Sequence, residues 1–311
     1  MKQSMRYATI LALSTAVISG TNNFLTKIAV TAVKDPIVFT TLKNALVAVF
    51  IIGIMLAFKK WKEISSLTKT QLLKLVAIGI IGGSLPFALY FTGLAATTAL
   101  NASLIHKTIF LWVAFLAIPL LKEKMSTPQW IGIGVIFAAN LLVGGFSGFK
   151  YNAGELMIFA ATILWAVENI IAKIALRDLS GTTVAAARMT LGSIILIGIA
   201  AWRGGGAAVL ALNPEQWGWT LLTSIFLLGY VLTWYTALKY APATYVATLL
   251  VPATLITNIL SAIFITHAFS IQQFISAVLF ITGTALVVLF AKKITEEAVS
   301  TAQPKTELTM R

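Results

Sequence analysis

The sequence of 311 residues contains no cysteine and only two histidines, His106 and His267. Disulfide bonds and thiolate metal sites are therefore excluded, and so is a metal centre built from several histidines. We expect neither a metal nor any other cofactor. Charged residues make up 11% of the chain, whereas a soluble domain carries about 25%. Together with a hydrophobic content of 59%, this scarcity indicates a chain that is surrounded mostly by lipid.

Acidic residues are the scarcest charged group, with 10 Asp and Glu against 23 Lys and Arg, which gives a net charge of +13. Such an excess can indicate nucleic-acid binding, but here the charges lie between apolar runs and at the chain ends. We therefore expect no nucleic-acid partner. The sequence also lacks a nucleophile–base constellation, a phosphate-binding loop and a soluble catalytic region, so we do not expect an enzyme.

Ten apolar segments have about the 20 residues that a membrane-crossing helix needs. They cover residues 7–30, 36–58, 74–94, 99–121, 129–146, 154–176, 182–202, 217–238, 243–266 and 271–291. The first is too long for the apolar part of a signal peptide, so we interpret it as a membrane helix. Pro86 and Pro252 lie inside segments, where each should kink the helix and free a carbonyl group that neighbouring groups or a cavity must satisfy.

The basic residues between these segments predict the orientation of the chain, because cytoplasmic loops are rich in lysine and arginine. Fifteen of them fall on one side of the membrane and three on the other. The majority side contains Lys2, Arg6, Lys59, Lys60, Lys62, Lys69, Lys74, Lys122, Lys124, Arg177, Lys239, Lys292, Lys293, Lys305 and Arg311. Both termini are therefore predicted to face the cytoplasm.

The chain contains an internal repeat. Residues 164–176 resemble residues 18–30 with Asn, Lys, Ile and Ala in register, and further on Lys43 falls opposite Arg188. Each half holds five segments, an odd number, so the second half should be inserted upside down relative to the first. The predicted fold is an all-α membrane protein of ten transmembrane helices in two inverted five-helix repeats. The repeats cover residues 1–148 and 149–293, and a disordered cytoplasmic tail covers 294–311.

Four charged residues, Lys43, Lys107, Glu168 and Arg188, lie six to eight residues from the nearest segment end. Charges at that depth are costly, so they usually face a cavity or a partner. Glu168 and Arg188 lie at similar depth in consecutive segments, and we predict that they pair. This pair is either structural or a cytoplasmic gate that opens when a substrate or a proton competes for one partner. As the only acid deep within a segment, Glu168 is also the candidate for proton coupling.

The other two deep charges, Lys43 and Lys107, have no carboxylate at comparable depth. Unpaired buried cations favour an anion, which predicts a substrate that bears a carboxylate or a phosphate. The alternative is that each lysine is a neutral amine hydrogen-bonded to Thr, Ser or Asn. The adjacent His106 should point about 100° away from Lys107 on a helix. We expect Lys107 to face the cavity and His106 to bond between helices or to relay protons.

Other polar and aromatic side chains in the segments are candidates for lining a substrate path. They are Asn22, Asn23, Tyr90, Tyr230, Trp234 and Asn258. For each of them the alternative is a packing role, since polar groups join membrane helices and aromatic groups fill cores.

Two regions resemble a known family. The run from Leu116 to Ser126, which closes on Glu123, and the following Gln129-Trp130-Ile131-Gly132 are similar to the end of helix 4 and the start of helix 5 in EamA-type permeases of the drug/metabolite transporter superfamily. Residues 23–27 and 169–173 resemble the first helix of each repeat. The family implies a permease of the cytoplasmic (inner) cell membrane, with helices 1–4 and 6–9 around a cavity. Thr108 stands where the family often has proline, and His267 stands at the second-repeat glutamate position.

The expected function is secondary active transport that exports a small organic metabolite, such as an amino acid or a carboxylate, by alternating access with proton coupling. One alternative is an antiporter or importer of an anionic, sugar-phosphate-like metabolite. An alternative of another class is a membrane sensor or a lipid-handling protein. The expected partners are a small-molecule substrate and the lipid bilayer. A homodimer is compatible with the sequence, which does not decide the oligomeric state.

Overall fold

The computed structural model describes residues 2–97, 99–144 and 152–302, and every regular element in these ranges is helical. In chain order the helices are α1 (Lys2–Val33), α2 (Pro36–Ala57), α3 (Trp61–Ser65), α4 (Lys69–Ile81), α5 (Leu85–Ala95), α6 (Ala99–Lys107), α7 (Ile109–Leu121), α8 (Thr127–Gly144), α9 (Ala153–Ala175), α10 (Gly181–Trp202), α11 (Gly206–Leu210), α12 (Pro214–Tyr240), α13 (Ala243–Leu250), α14 (Ala253–Ser261), a π-helical turn (Ala262–Thr266) and α15 (Ile271–Ala302).

Nine segments of the described chain are long and apolar enough to cross a membrane, and α8 is a shorter apolar helix. Each of the ten predicted segments corresponds to one of these nine segments or to α8. The third segment begins at Lys69, five residues earlier than predicted, and combines α4 and α5. The last helix, α15, ends at Ala302 and so overlaps the predicted tail, 294–311. The rest of that tail lies outside the described residues.

Two of the breaks within membrane segments follow from proline. Pro86 lies in the first turn of α5 and lacks the N–H that would bond to the Gly82 carbonyl, so the third segment breaks between α4 and α5. Pro252 separates α13 from α14 in the same way. The break between α6 and α7 was not predicted. It falls at Thr108, whose hydroxyl donates to the Ile105 carbonyl at 2.7 Å.

Helices of the two halves pack against each other in a pattern that repeats. Helix α1 of the first half packs on α12, α13 and α14 of the second half. Its repeat counterpart, α9, packs in the same way on α4, α5, α6 and α7 of the first half. Helices α2 and α10, which occupy equivalent positions, pack on each other, as do α8 and α15. Each half therefore completes the other, and the core lies between them.

Glycine permits the closest of these contacts. A Cβ atom on Gly83 would lie 2.3 Å from the Arg188 carbonyl oxygen, and one on Gly192 would lie 2.5 Å from that of Gly83. The backbone at the α4–α5 break therefore touches the backbone of α10. Because Gly79 also faces α10 through Leu191, the pair Gly79 and Gly83 packs helices together, as small residues do in membranes.

The helix order places the connecting loops at two opposite ends of the bundle. We call them the α3 end, which holds the starts of α1, α4, α8, α10 and α13, and the α11 end, which holds the starts of α2, α6, α9, α12 and α15.

Candidate functional site

The break between α4 and α5 is the point where the deep polar side chains of α9 and α10 meet. The Gly82 carbonyl, which Pro86 leaves without its helical partner, accepts hydrogen bonds from the Trp165 indole N–H at 3.0 Å and from Arg188 Nη2 at 3.2 Å. The carbonyl freed by Pro86 is thus satisfied by neighbouring helices, as the sequence predicted. A buried carbonyl with two donors is fully bonded and fixes both side chains.

Glu168 lies on the same break. Its side chain is 1% exposed, and its Oε1 atom accepts a hydrogen bond of 2.6 Å from the Tyr235 hydroxyl of α12. A Cβ atom on Gly82 would lie 2.3 Å from Glu168 Cγ. The absence of a side chain at Gly82 therefore makes the space that the carboxylate stem occupies.

Glu168 and Arg188 occupy one cluster, but within the described chain they form no direct ion pair. Glu168 is bonded to Tyr235, while the guanidinium carbon of Arg188 lies 6.0 Å from the centre of the Tyr235 ring. The Arg188 Nε atom is buried and has no hydrogen-bond acceptor. Tyr235 thus contacts both side chains, whose charges also interact electrostatically. We call Gly82, Trp165, Glu168, Arg188 and Tyr235 the break cluster.

Aromatic rings extend the break cluster along the third and fourth segments. The Trp165 ring centre lies 4.8 Å from that of His106, 5.1 Å from Phe87 and 5.9 Å from Tyr90. The Nδ1 atom of His106 is buried without a hydrogen-bond partner. His106 therefore meets this group through its ring rather than through a hydrogen bond at that nitrogen.

A second aromatic pair lies on α12. The rings of Tyr230 and Trp234 stack with their planes 7° apart and their centres separated by 6.0 Å. Tyr230 interacts electrostatically with Arg188 and Glu168, so this pair borders the break cluster.

Lys43 on α2 has only neutral partners. Its side chain is 8% exposed, and its ammonium donates to Asn22 Oδ1 at 3.2 Å and to Thr26 Oγ1 at 2.9 Å. The Nζ atom also lies 5.7 Å from the centre of the Phe39 ring. Since an ammonium has three donors, one N–H of Lys43 is left for another acceptor.

The remaining predicted residues lie elsewhere. Lys107 lines a pocket between α6, α7, α8 and α9, to which neither Lys43 nor Glu168 contributes. Asn23 is exposed on α1, and Asn258 is half-buried on α14. The adjacent His106 and Lys107 thus face different surroundings, and His106 rather than Lys107 meets the aromatic group around Trp165.

At the α3 end, a carboxylate of the first half binds the start of α10 in the second half. Glu63 accepts hydrogen bonds from the Ser180 amide at 2.7 Å, the Ser180 hydroxyl at 2.6 Å and the Thr183 hydroxyl at 2.5 Å. Burial acts to raise the pKa of Glu63, but these hydrogen bonds and nearby Lys239 outweigh it and lower the pKa below its ordinary value. An anion at a helix N-terminus is also stabilised by the helix dipole.

A second carboxylate makes an equivalent contact at the same end. Glu123 accepts from the amides of Ala243 and Thr244 at 2.6 and 3.0 Å, and from the Thr244 hydroxyl at 2.7 Å, at the start of α13. At the same end, Lys173 of α9 donates to the carbonyls of Leu238 and Ala241, both at 2.6 Å, at the end of α12.

Several of these residues were not singled out from the sequence. Tyr235 and Gly82 complete the break cluster, and Glu63 joins the first half to the start of α10 at the α3 end. The signal for Gly82 was available, because Pro86 identifies the carbonyl four residues before it as the one left free. No sequence signal pairs Tyr235 with Glu168, since the two residues are 67 positions apart in the chain and lie on different helices.

No group of three or more His, Asp or Glu side chains able to hold a metal ion occurs in the described ranges. The chemistry of the site is therefore that of hydrogen-bond donors, two buried cations, one buried carboxylate and aromatic rings.

Comparisons with known proteins agree with this architecture. The model of the EamA-like transporter family matches residues 6–145 and 152–289, one match for each half. The uncharacterized transporter YyaM of Bacillus subtilis is 28% identical over 238 residues, covering 74% of this chain and 77% of YyaM. An uncharacterized transporter of Methanothermobacter thermautotrophicus is 25% identical over 237 residues, covering 72% of this chain and 67% of the relative.

One solved crystal structure, with 16% sequence identity, has a similar fold at a TM-score of 0.74 and covers 91% of this chain and 98% of that chain. The family model accounts for both halves and nearly the whole membrane region. The protein is a multi-pass membrane protein with two repeats, and it belongs to the EamA-like transporter family.

Proposed function

We propose that the protein is a secondary active transporter that exports a small amino acid-like metabolite in exchange for protons, by alternating access. Ten membrane helices form two inverted repeats in the cytoplasmic (inner) cell membrane, and membrane segments 1–4 and 6–9 enclose the path. The α3 end, with both termini, faces the cytoplasm. The excess of lysine and arginine in the loops at the α3 end supports this orientation.

The observation that carries the proposal is the charge arrangement around the break cluster. Lys43 and Arg188 occupy equivalent positions of the repeat on helices α2 and α10, which pack against each other. Each has a donor without an acceptor: the third N–H of Lys43 and the buried Nε of Arg188. Such donors favour a substrate carboxylate, which can accept several hydrogen bonds at once.

The carboxylate of Glu168 supplies the complementary group. An α-amino acid carries a carboxylate for the cations and an ammonium for Glu168, so its two charges match the two signs present in the site. A proton and the substrate ammonium then compete for the same carboxylate. Competition of this kind couples export of the substrate to entry of a proton, because the protein releases one when it binds the other.

Alternating access requires that contacts at one end break while those at the other form. The ties of Glu63 to Ser180 and of Glu123 to Thr244 join the first half to the second at the α3 end. In the proposal they form the cytoplasmic gate and must break before a substrate enters from the cytoplasm. Glu168 controls this gate indirectly, through its bond to Tyr235 on α12.

Transport in proteoliposomes tests the proposal. Counterflow with amino acids, with carboxylic acids that lack the amino group and with sugar phosphates identifies the charge pattern of the substrate. We expect exchange to be greatest with amino acids, and an imposed pH gradient to drive net movement against the proton flux. Glu168→Gln keeps an oxygen that accepts from the substrate ammonium, so it should retain exchange at lower apparent affinity but lose the response to the gradient. Lys69→Met, at an exposed cation of α4, should behave as wild type.

Two outcomes would overturn the proposal. If sugar phosphates exchange better than amino acids, the protein is an antiporter of phosphate-bearing anions and Glu168 does not bind a substrate ammonium. If Glu168→Gln responds to the pH gradient as the wild type does, protons are not coupled through this residue.

A further inference from the structure

A pocket separate from the break cluster lies between α8 and α9, with α6 and α7 as its floor. Its volume is about 320 Å³, and it is partly enclosed. The lining is formed by Leu104, Ile105, Lys107, Thr108, Trp112, Phe137, Asn140, Leu141 and Phe159. Seven of these nine residues are apolar or bear only a hydroxyl, so the pocket suits a hydrophobic body, and the other two supply its polar chemistry.

Lys107 is the charged residue of this pocket, and it is half-buried. It makes no hydrogen bond or ion pair in the described part of the chain. Asn140, the other polar residue, is 3% exposed and donates its amide to the Ile136 carbonyl at 3.1 Å. A lysine without a partner beside an apolar cavity favours a ligand that joins an anionic head to an apolar body.

The position of the pocket indicates where such a ligand comes from. Helix α8 packs on α15 and touches α6, while α9 packs on α4 to α7. The space between α8 and α9 is therefore a cleft, and Phe159 at its edge is 38% exposed. In a membrane protein, an exposed phenylalanine of this kind faces acyl chains, so the cleft opens sideways to the bilayer.

We propose that this pocket binds an amphipathic acid from the membrane: a single acyl chain with a carboxylic or phosphoric acid head. The chain fills the space beside Trp112, Phe137 and Phe159. The acid head accepts from the Lys107 ammonium, which is the one charged group in the lining. The cavity volume, near the lower limit for ligand pockets of about 300 Å³, favours one chain over the two chains of a phospholipid.

This site is independent of the proposed function, because none of its lining residues belongs to the break cluster. It assigns to Lys107 a ligand other than the transported solute. The ligand, bound between the fifth and sixth membrane segments, would lie where the two repeats join in sequence.

Equilibrium binding of radiolabelled dodecanoate to the full-length protein in phosphatidylcholine nanodiscs tests the proposal, with empty nanodiscs subtracted. We expect saturable binding with one site per protein. Lys107→Met should weaken it by about tenfold or more, which is the loss expected for a charge-assisted hydrogen bond. Lys107→Arg should retain most of the affinity. The exposed Lys69→Met is the matched control and should bind as the wild type does.

Competitors identify the head group. Dodecyl phosphate should displace the probe, whereas dodecanol and dodecylammonium should not. Displacement by lysophosphatidic acid, which has one chain, would support the site, whereas displacement by two-chain phosphatidic acid at equal concentration would contradict the single-chain assignment. Equal binding by wild type and Lys107→Met, or equal displacement by dodecylammonium, would overturn the proposal.

Discussion

Replacing Gly82 by alanine tests the geometry of the break cluster most directly. The added Cβ atom would lie 2.3 Å from Glu168 Cγ, 2.8 Å from the Ile78 carbonyl oxygen and 2.9 Å from Glu168 Cδ. Carbon atoms pack at about 3.5–4.0 Å, so the Glu168 stem or the α4–α5 break must move by roughly 1.2 Å or more. The backbone at Gly82 has φ −114° and ψ −40°, which alanine adopts without strain. The effect therefore arises from the contact with Glu168.

The magnitude follows from two contributions. Overpacking of this kind costs about 1–3 kcal/mol. If Glu168 is displaced from Tyr235, losing a hydrogen bond to a charged group adds about 1.5–3 kcal/mol. We expect Gly82→Ala to destabilise the protein by about 3 kcal/mol and to abolish most transport. Gly134→Ala on α8 is the matched control, because a Cβ atom there meets nothing within 4 Å.

Unfolding of the purified protein in detergent and counterflow in proteoliposomes measure these two effects. A double-mutant cycle with Glu168→Ala, which removes the colliding atoms, separates the causes. The destabilisation by Gly82→Ala should be smaller in the Glu168→Ala background, because contacting residues are not additive. If the two substitutions are additive, or if Gly82→Ala is as stable as Gly134→Ala, the proposed contact between Gly82 and Glu168 is refuted.

Two further predictions concern the hydrogen bonds of buried carboxylates. Tyr235→Phe removes the donor to Glu168 and should reduce counterflow by about tenfold or more, whereas Tyr7→Phe, on an exposed tyrosine, should not; equal rates would show that the bond is dispensable. Because the pKa of Glu63 is lowered in the folded state, its stabilisation is present above the unfolded-state pKa and is lost as the pH falls through the lowered value. Below roughly pH 5, the melting temperature of the wild type should fall more steeply than that of Glu63→Gln, and parallel curves would contradict this assignment.

The membrane segments were predictable because the bilayer requires long apolar helices, and this requirement is written locally in the sequence. The positions of the disturbances at Pro86 and Pro252 were predictable for a similar reason, since proline removes a specific hydrogen bond wherever it occurs; the structure shows full breaks where kinks were predicted. The break at Thr108 was not predictable, because threonine is compatible with a continuous helix. The structure reveals it through the backbone bond from the Thr108 amide to the Ile105 carbonyl at 3.1 Å and the hydroxyl bond to the same carbonyl.

The candidate site was predictable only in part. The depth of Lys43, Glu168 and Arg188 in their segments indicated that they are buried, and all three are less than 10% exposed. The expected pairing of Glu168 with Arg188 assumed that neighbouring charges at one depth touch. In the structure the two charges interact electrostatically without a direct hydrogen bond, because Tyr235 donates to Glu168 and the Gly82 carbonyl accepts from the guanidinium.

The sequence alone determined that this chain is a membrane protein with an internal repeat, because hydropathy and self-similarity are properties of the order of residues. Only the tertiary structure decided which side chains meet. A helix fixes the direction of each side chain to about 100° per residue, but its rotation and depth depend on the helices packed around it. That is why Lys107 lies in a lateral pocket with Asn140, while its neighbour His106 contacts Trp165.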